Sequence, residues 1–523
     1  MGKPDLSVQE LEAKYGGFLS ESFKKKQYVT FWEPDPKYAH LQEDDFLKSK
    51  PAAGDLIPLF LGLPSPGFFP VKSIDVKVCD HPFDSELETE NSTSTYGKMT
   101  RKSPEELPLP DTLQYSATEG LDPLLNFTKS FLQRIGNTPL YNGWDTILAN
   151  GSSDSLYKVF DILADRNTTV LVEEFTFVPV VGTILGTGAH IVPMKLNLDE
   201  VTSDNFNNDK QFDPNHEGID VEYLADLLEN WAVGPHKHLP KPTLMYTVVT
   251  GQNPTGVSLS YEKRRQIYAL AQRHNFIIVE DDPYGYLRLP HFNRETPSEN
   301  KYDGITVDGY INDMIIKSFI SMDTDGRVLR LETFSKLFAP GLRLSFIAGN
   351  KYFIEKILYL ADVSTRAPSS ISQALVYSTL QTLSQREKMP MVDSWLHWII
   401  QIASEYTVRR NVMLPEFYKT EAFAKGYFSV IEPSAGMFVD IKINFGSGSD
   451  VNIIEEMNKV EKYFMKNGVG IVLAYKMAVD TEFSRDKCGL IRTAISFAEK
   501  DRLIEAVRRV NVSLIEFFEK RTP

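Results

Sequence analysis

Lys336 precedes Arg343 by seven residues across a Pro340-Gly341 turn, in a run from Glu332 to Ser345 that also carries hydroxyls at Thr333 and Ser335. An amine that must form an imine with an aldehyde cofactor and then shuttle protons has to be held on a short turn beside a fixed phosphate anchor. Lys336 has the type and the setting for that work. Arg343 can clamp a phosphate through two hydrogen bonds, Gly341 lets the backbone approach, and Pro340 stiffens the turn. Thr333 and Ser335 stand within reach of the same anion. Read alone, the run is equally a solvated surface turn, so its neighbours decide.

Two other stations share that context. Gly251-Gln252-Asn253-Pro254-Thr255-Gly256 directly follows the apolar run Thr243 to Val249, and a second apolar run, Phe276 to Val279, leads into Glu280-Asp281-Asp282-Pro283-Tyr284. Between them, Tyr261 to His274 has the length and composition of a crossover helix. The spacing predicts a βαβ unit with chemistry at the strand carboxyl ends, and a third strand over Arg327 to Leu331 delivers Lys336 to the same edge. Upstream, a strand over Thr146 to Ala149 gives way to Gly151, and Leu156, Val159, Phe160 and Leu163 recur at helical spacing. A helix starting near Ser152 would offer its unpaired amides, with the Ser152 and Ser153 hydroxyls, to an anion. Plain N-capping is the alternative use of those serines. Asp154 has to turn away from such an anion or weaken its binding.

Together with Leu61-Gly62-Leu63-Pro64, Leu113-Gln114-Tyr115-Ser116, Gly151-Ser152 and Ile491-Arg492, these motifs resemble the fold-type-I pyridoxal-phosphate aminotransferases. More narrowly, they are similar to the aromatic and 2-aminoadipate (kynurenine) aminotransferases of fungi, from about Ile57 to Phe517. The resemblance implies an α/β fold: a three-layer α/β/α large domain with a mostly parallel sheet, plus a smaller α+β domain. Expected boundaries are 1–105 for an arm and part of the small domain, 106–375 for the cofactor domain, and 376–523 for the rest of the small domain.

By the same resemblance, Lys336 carries the cofactor, Asp281 meets its ring nitrogen, and Asn253 and Tyr284 donate to its 3-oxygen. A carboxylate against the ring nitrogen keeps it protonated, which its electron-withdrawing chemistry requires. Asp281 and Asp282 point oppositely at a strand end, so only one can face the ring. Phe177 aligns with an aromatic residue that stacks on the ring, a position where the family more often has tyrosine. Arg492 matches the arginine that grips the substrate's α-carboxylate, a role for which a planar guanidinium is suited. Tyr115 matches a tyrosine that crosses to the other subunit's phosphate, which implies a homodimer with shared sites. Gly62 matches a residue lining the side-chain pocket.

The implied reaction is ping-pong transfer of the amino group between an aromatic amino acid (Phe, Tyr, Trp) and a 2-oxo acid such as 2-oxoglutarate or an aromatic oxo acid. A broad 2-aminoadipate or kynurenine aminotransferase is the nearest alternative. A pyridoxal-phosphate lyase or decarboxylase on the same fold, or a regulator with an aminotransferase-like domain, is the alternative of another class. For the regulator, residues 1–56 are too short to form a DNA-binding head.

Composition excludes other classes. A formal charge of −14 argues against nucleic acid, and no apolar run approaches membrane-spanning length. Two cysteines, Cys79 and Cys488, make neither a disulfide framework nor a metal site, so no metal and a reducing, cytoplasmic compartment are expected. Cys79 to Leu107, Val201 to Gly218 and His291 to Asp303 are polar enough to read as surface insertions, and a helix over about Ser370 to Ser384 as a bridge between domains.

Overall fold

Short apolar runs bounded by glycine, proline and asparagine become the strands of a central sheet in the computed structural model, which describes residues 3–26, 62–83, 95–100, 107–207, 213, 215–446 and 452–520. Its strands are β1 (Trp144–Ala149), β2 (Thr169–Glu173), β3 (His190–Met194), β4 (Leu244–Val248), β5 (Ile277–Asp281), β6 (Val328–Thr333) and β7 (Ser345–Asn350), in the order β1-β7-β6-β5-β4-β2-β3. Every position of β2, β4, β5, β6 and β7 is buried, as expected where helices cover both faces. The helices Asp122–Arg134, Ser152–Leu163, Val178–Gly186, Tyr261–His274 and Lys351–Val363 supply that cover.

The neighbours β3-β2-β4-β5-β6 are parallel, whereas β7 is antiparallel to both β6 and β1. Because β7 reverses direction twice over, β1 again runs with β6. The carboxyl ends of β1, β2, β4, β5 and β6 therefore share one edge. The anticipated strand ahead of Lys336 runs two residues further than expected, to Thr333.

A second, antiparallel sheet is built from β8 (Phe428–Ile431), β9 (Phe438–Ile443), β10 (Val472–Leu473) and β11 (Leu490–Ala494), in the order β10-β11-β9-β8, with the short segment Glu200–Val201 added beside β8. Ile453–Lys466 and Lys500–Glu519 pack together beside it. The molecule is thus a three-layer α/β/α unit with a smaller α+β unit.

Three expectations need correction. The helix that spans the two units is Met391–Tyr418, which packs on Asp122–Arg134 at one end and on Lys500–Glu519 and Glu421–Ala424 at the other; Ser370–Glu387 lies against it and against the hairpin Ser73–Val78/Thr95–Thr100. That hairpin also shows that Cys79 to Leu107 contains a strand. His291 to Asp303 is polar in composition but buries Phe292 and Tyr302, two aromatic anchors too widely spaced to give a periodic signal. Among the described residues no helix is long and apolar enough to cross a membrane, and no cluster of metal-ligating side chains occurs.

Candidate active site

Lys336 emerges from β6 on a short turn and is half-buried, with no hydrogen-bond partner for its amine among the described residues. Burial, then the positive charges of Arg343 and Arg492, lower its pKa. The amine sheds its proton more readily than a solvated lysine, which is what a nucleophilic amine requires.

Asp281 closes β5 and is buried. The Tyr246 hydroxyl, from β4, donates to its Oδ2 at 2.8 Å, and its Oδ1 takes no hydrogen bond among the described residues. Burial pushes this carboxyl up to about 7 against the hydrogen bond from Tyr246. A cationic ring nitrogen would meet both the open oxygen and the uncompensated burial. Asp282 points the other way, as strand alternation demands, and pairs with Arg330 at 2.8 Å. Arg330 also meets Glu280 at 3.0 Å and Glu332 at 2.7 Å, forming a buried ionic cluster beneath the strand ends.

Gly151 is the N-cap of Ser152–Leu163, and no side chain caps that helix. Neither serine is the cap, so their amides stay available. Gly151 has φ +83°, and a Cβ there would lie 2.3 Å from Arg343 Nη2. That backbone conformation favours glycine, and any side chain would have to push the guanidinium aside. Arg343, itself left-handed at φ +50°, has no carboxylate partner among the described residues and donates from Nη1 to the Pro340 carbonyl. Thr333 and Ser335 lie together on this turn, Thr333 donating to Ser335 Oγ at 2.9 Å and accepting from the Ser335 amide at 3.1 Å. Asp154 has turned away, accepting from the Asn150 amide at 2.9 Å and pairing with Lys158.

Arg492 projects from β11, in the small sheet, and donates to Asn253 Oδ1 of the β4 loop at 2.8 Å. Its guanidinium lies 4.6 Å from the centre of the Phe438 ring, and Tyr284 meets that same ring edge-on. Burial lowers the Arg492 pKa, partly offset by Asp440 and Tyr284. Phe177 follows β2 on the same edge, partly buried at the start of Val178–Gly186. Two expected residues are exposed in the single chain. Tyr115 is 77% exposed, and Gly62 is exposed with nothing within 4 Å of where a Cβ would be.

Sequence reasoning missed three side chains beside the site. Tyr246 was hidden because a tyrosine inside an apolar strand counts toward the core. Phe438 was hidden for the same reason. Asp440, opposite Arg492 in the β9–β11 register and fully buried, has no hydrogen-bond partner for either oxygen among the described residues; its signal was a carboxylate in an apolar strand.

An unpartnered amine, a buried carboxyl with an open oxygen and the Gly151–Arg343 pair thus share one edge of the large sheet, with Arg492 reaching them from the small one. The family profile for aminotransferase class I and II matches residues 85–444. The chain belongs to this family. This aminotransferase is 44% identical to aromatic amino acid aminotransferase 2 of Saccharomyces cerevisiae over 99% of its own length and 98% of the yeast protein's. It is 29% identical to an L-tyrosine:2-oxoglutarate aminotransferase of Serpula lacrymans, over 76% and 71% of the two chains. The crystal structure of aminotransferase Aro9 from C. albicans superposes with a TM-score of 0.82 at 35% identity, covering 97% of this aminotransferase and 99% of that chain.

Proposed function

We propose that this aminotransferase moves the amino group between an aromatic amino acid and a 2-oxo acid such as 2-oxoglutarate by a ping-pong cycle, with pyridoxal 5′-phosphate as cofactor. The observation that carries the reading is the convergence of Lys336, the open oxygen of Asp281 and the Gly151–Arg343 seat on one edge, with Arg492 facing them from the other sheet. The names of the relatives support the aromatic donor and the 2-oxoglutarate acceptor.

The residues fit the cofactor. Gly151 leaves room where any side chain would collide with Arg343, and the bare amides of Ser152 and Ser153, with the Ser335 hydroxyl, complete a phosphate seat. Asp281 offers its unpartnered oxygen to the ring nitrogen, and Tyr246 orients that carboxyl from the far side. Phe177 would stack on the cofactor's ring, and Asn253 and Tyr284 would donate to its ring oxygen. When bound, the cofactor supplies an aldehyde carbon that accepts the amine and a ring that withdraws electrons from the substrate's Cα. Lys336 Nζ would hold the cofactor's aldehyde carbon and, when free, carry the proton at the substrate's Cα. Arg492, already aimed by Asn253 and Phe438, takes the α-carboxylate that donors and acceptors share.

Tyr115, exposed in the single chain, fits a residue that completes a second subunit's phosphate seat in a homodimer. The cytoplasm suits a chain with two free cysteines.

Replacing Lys336 by Ala tests the chemistry: the purified variant should lack the near-visible absorbance of a lysine-linked cofactor and turn over negligibly. Near-normal transamination by it would end the proposal. A steady-state panel of phenylalanine, tyrosine, tryptophan, kynurenine and 2-aminoadipate against several oxo acids tests the substrate class. Stoichiometric oxo acid and new amino acid separate transamination from elimination or decarboxylation.

A further inference from the structure

A cavity of about 910 Å³ opens away from the Lys336 site. Ser258, at the end of the turn that begins at Gly251, lines it together with Pro433 and Ser434. Asn253 of that turn serves Arg492 on one side, while Ser258 lines the cavity on the other, with Oγ accepting from the Gly251 amide at 3.0 Å, from Ser434 Oγ at 2.9 Å and from Arg288 Nη1 at 3.2 Å. None of Lys336, Asp281, Tyr284, Asn253, Arg343 and Arg492 lines this space.

Two ionisable groups of opposite type in the wall lack a direct partner of opposite charge among the described residues. Glu217 is 2% exposed, lines the cavity, and has neither a hydrogen bond nor an ion pair to its carboxyl among the described residues. Arg288, also in the wall, has only the Ser258 hydroxyl and no carboxylate partner among the described residues. The two feel each other's charge, yet they make no direct ion pair. Burying a carboxyl and a guanidinium without partners is costly unless something between them answers both. A second guanidinium, Arg410, is already occupied by Asn411 Oδ1 and the Pro433 carbonyl. Leu289, Phe292, Ile305, Met314 and Ile315 give the lining an apolar face, while Lys301, Asp303, Asp313, Lys317 and Glu432 add further charges around it.

We infer that this cavity is a second, non-catalytic binding site for a zwitterionic amino acid, with Arg288 taking the α-carboxylate, Glu217 the α-ammonium and the apolar wall the side chain. A simple anion is disfavoured by Glu217, and a simple amine by Arg288. Burial raises the Glu217 carboxyl to about 8, a shift that an arriving ammonium would reverse.

The test is equilibrium dialysis of radiolabelled L-phenylalanine against the holoenzyme with its cofactor in the aminated form, so that the amino acid is not consumed. Wild type should hold two equivalents per chain. Arg492→Met should lose one, at the catalytic site, and Glu217→Gln and Arg288→Met should each lose the other. Phenylpyruvate and 2-phenylethylamine, each missing one charge, should compete for the cavity equivalent at least 10-fold more weakly. The inference is overturned if wild type lacks the equivalent that survives Arg492→Met, if the two cavity variants retain it, or if inorganic phosphate displaces it as well as L-phenylalanine does. Glu217→Gln preserves shape, so a folding defect in Arg288→Met alone leaves the question decided.

Discussion

Asp281 separates shape from charge. Asp281→Asn keeps an acceptor for the Tyr246 hydroxyl but cannot hold a ring nitrogen protonated, so kcat should fall by roughly 100-fold or more while the fold survives, as activity and circular dichroism measured side by side would show. Arg492→Lys keeps the charge but loses the planar pair of hydrogen bonds; at about 1.5–3 kcal/mol for a charge-assisted bond, KM for donors and acceptors alike should rise roughly 10- to 100-fold. Asp440 gives a stability prediction with a definite sign. Burial holds its carboxyl well above the usual range, with Arg492 only partly offsetting this. A folded-state pKa raised above the unfolded one contributes stability at low pH that is lost as pH rises. Asp440→Asn should therefore melt higher than wild type at pH 8, with the gain vanishing near pH 4, in thermal scans across that range. Lys336, Arg343 and Asp281 were legible in the chain because their work demands particular residue types at short spacings. Tyr246 and Phe438 were not, because an aromatic residue in a buried strand is indistinguishable from packing until its neighbours across the sheet are known.

Strands and turns explain why those short spacings suffice. β7 is antiparallel to β6, so the chain returns after a tight turn and brings Arg343 back to the edge that Lys336 has just left. A parallel successor would have needed a crossover of a dozen or more residues. The helix start at Ser152 arrives at that edge from β1, two strands away, and Gly151 sets how closely it approaches. Gly151→Ala would place a left-handed alanine against Arg343 Nη2. It should lower cofactor affinity at least roughly 10-fold in a spectrophotometric titration and cost about 1–3 kcal/mol in urea unfolding. The βαβ unit over 243–281 was legible from its apolar runs and crossover helix. The spanning helix Met391–Tyr418 was not, since its buried positions face two different units and spread around its circumference.

At the scale of the whole molecule, two sheets of different kinds meet at the site, and Tyr115 stands exposed in the single chain. A homodimer predicts that Tyr115→Phe weakens cofactor binding several-fold without changing the melting temperature of cofactor-free protein, and that sedimentation equilibrium gives twice the chain mass for both. A monomeric mass would remove the basis for that role. The division into a parallel and an antiparallel unit was legible through the family resemblance. The pairing of Glu200–Val201 with β8 was not, because a two-residue strand carries no periodicity.

The bond from Arg492 to Asn253 runs from one sheet to the other. Recognition of the acid group is therefore tied to how the two lobes are seated, whereas Lys336, Asp281 and Arg343 all sit on the large one. Mild warming or dilute urea that loosens the seating should blunt the grip on substrate before it slows the chemistry, so that thermal inactivation begins as a loss of affinity.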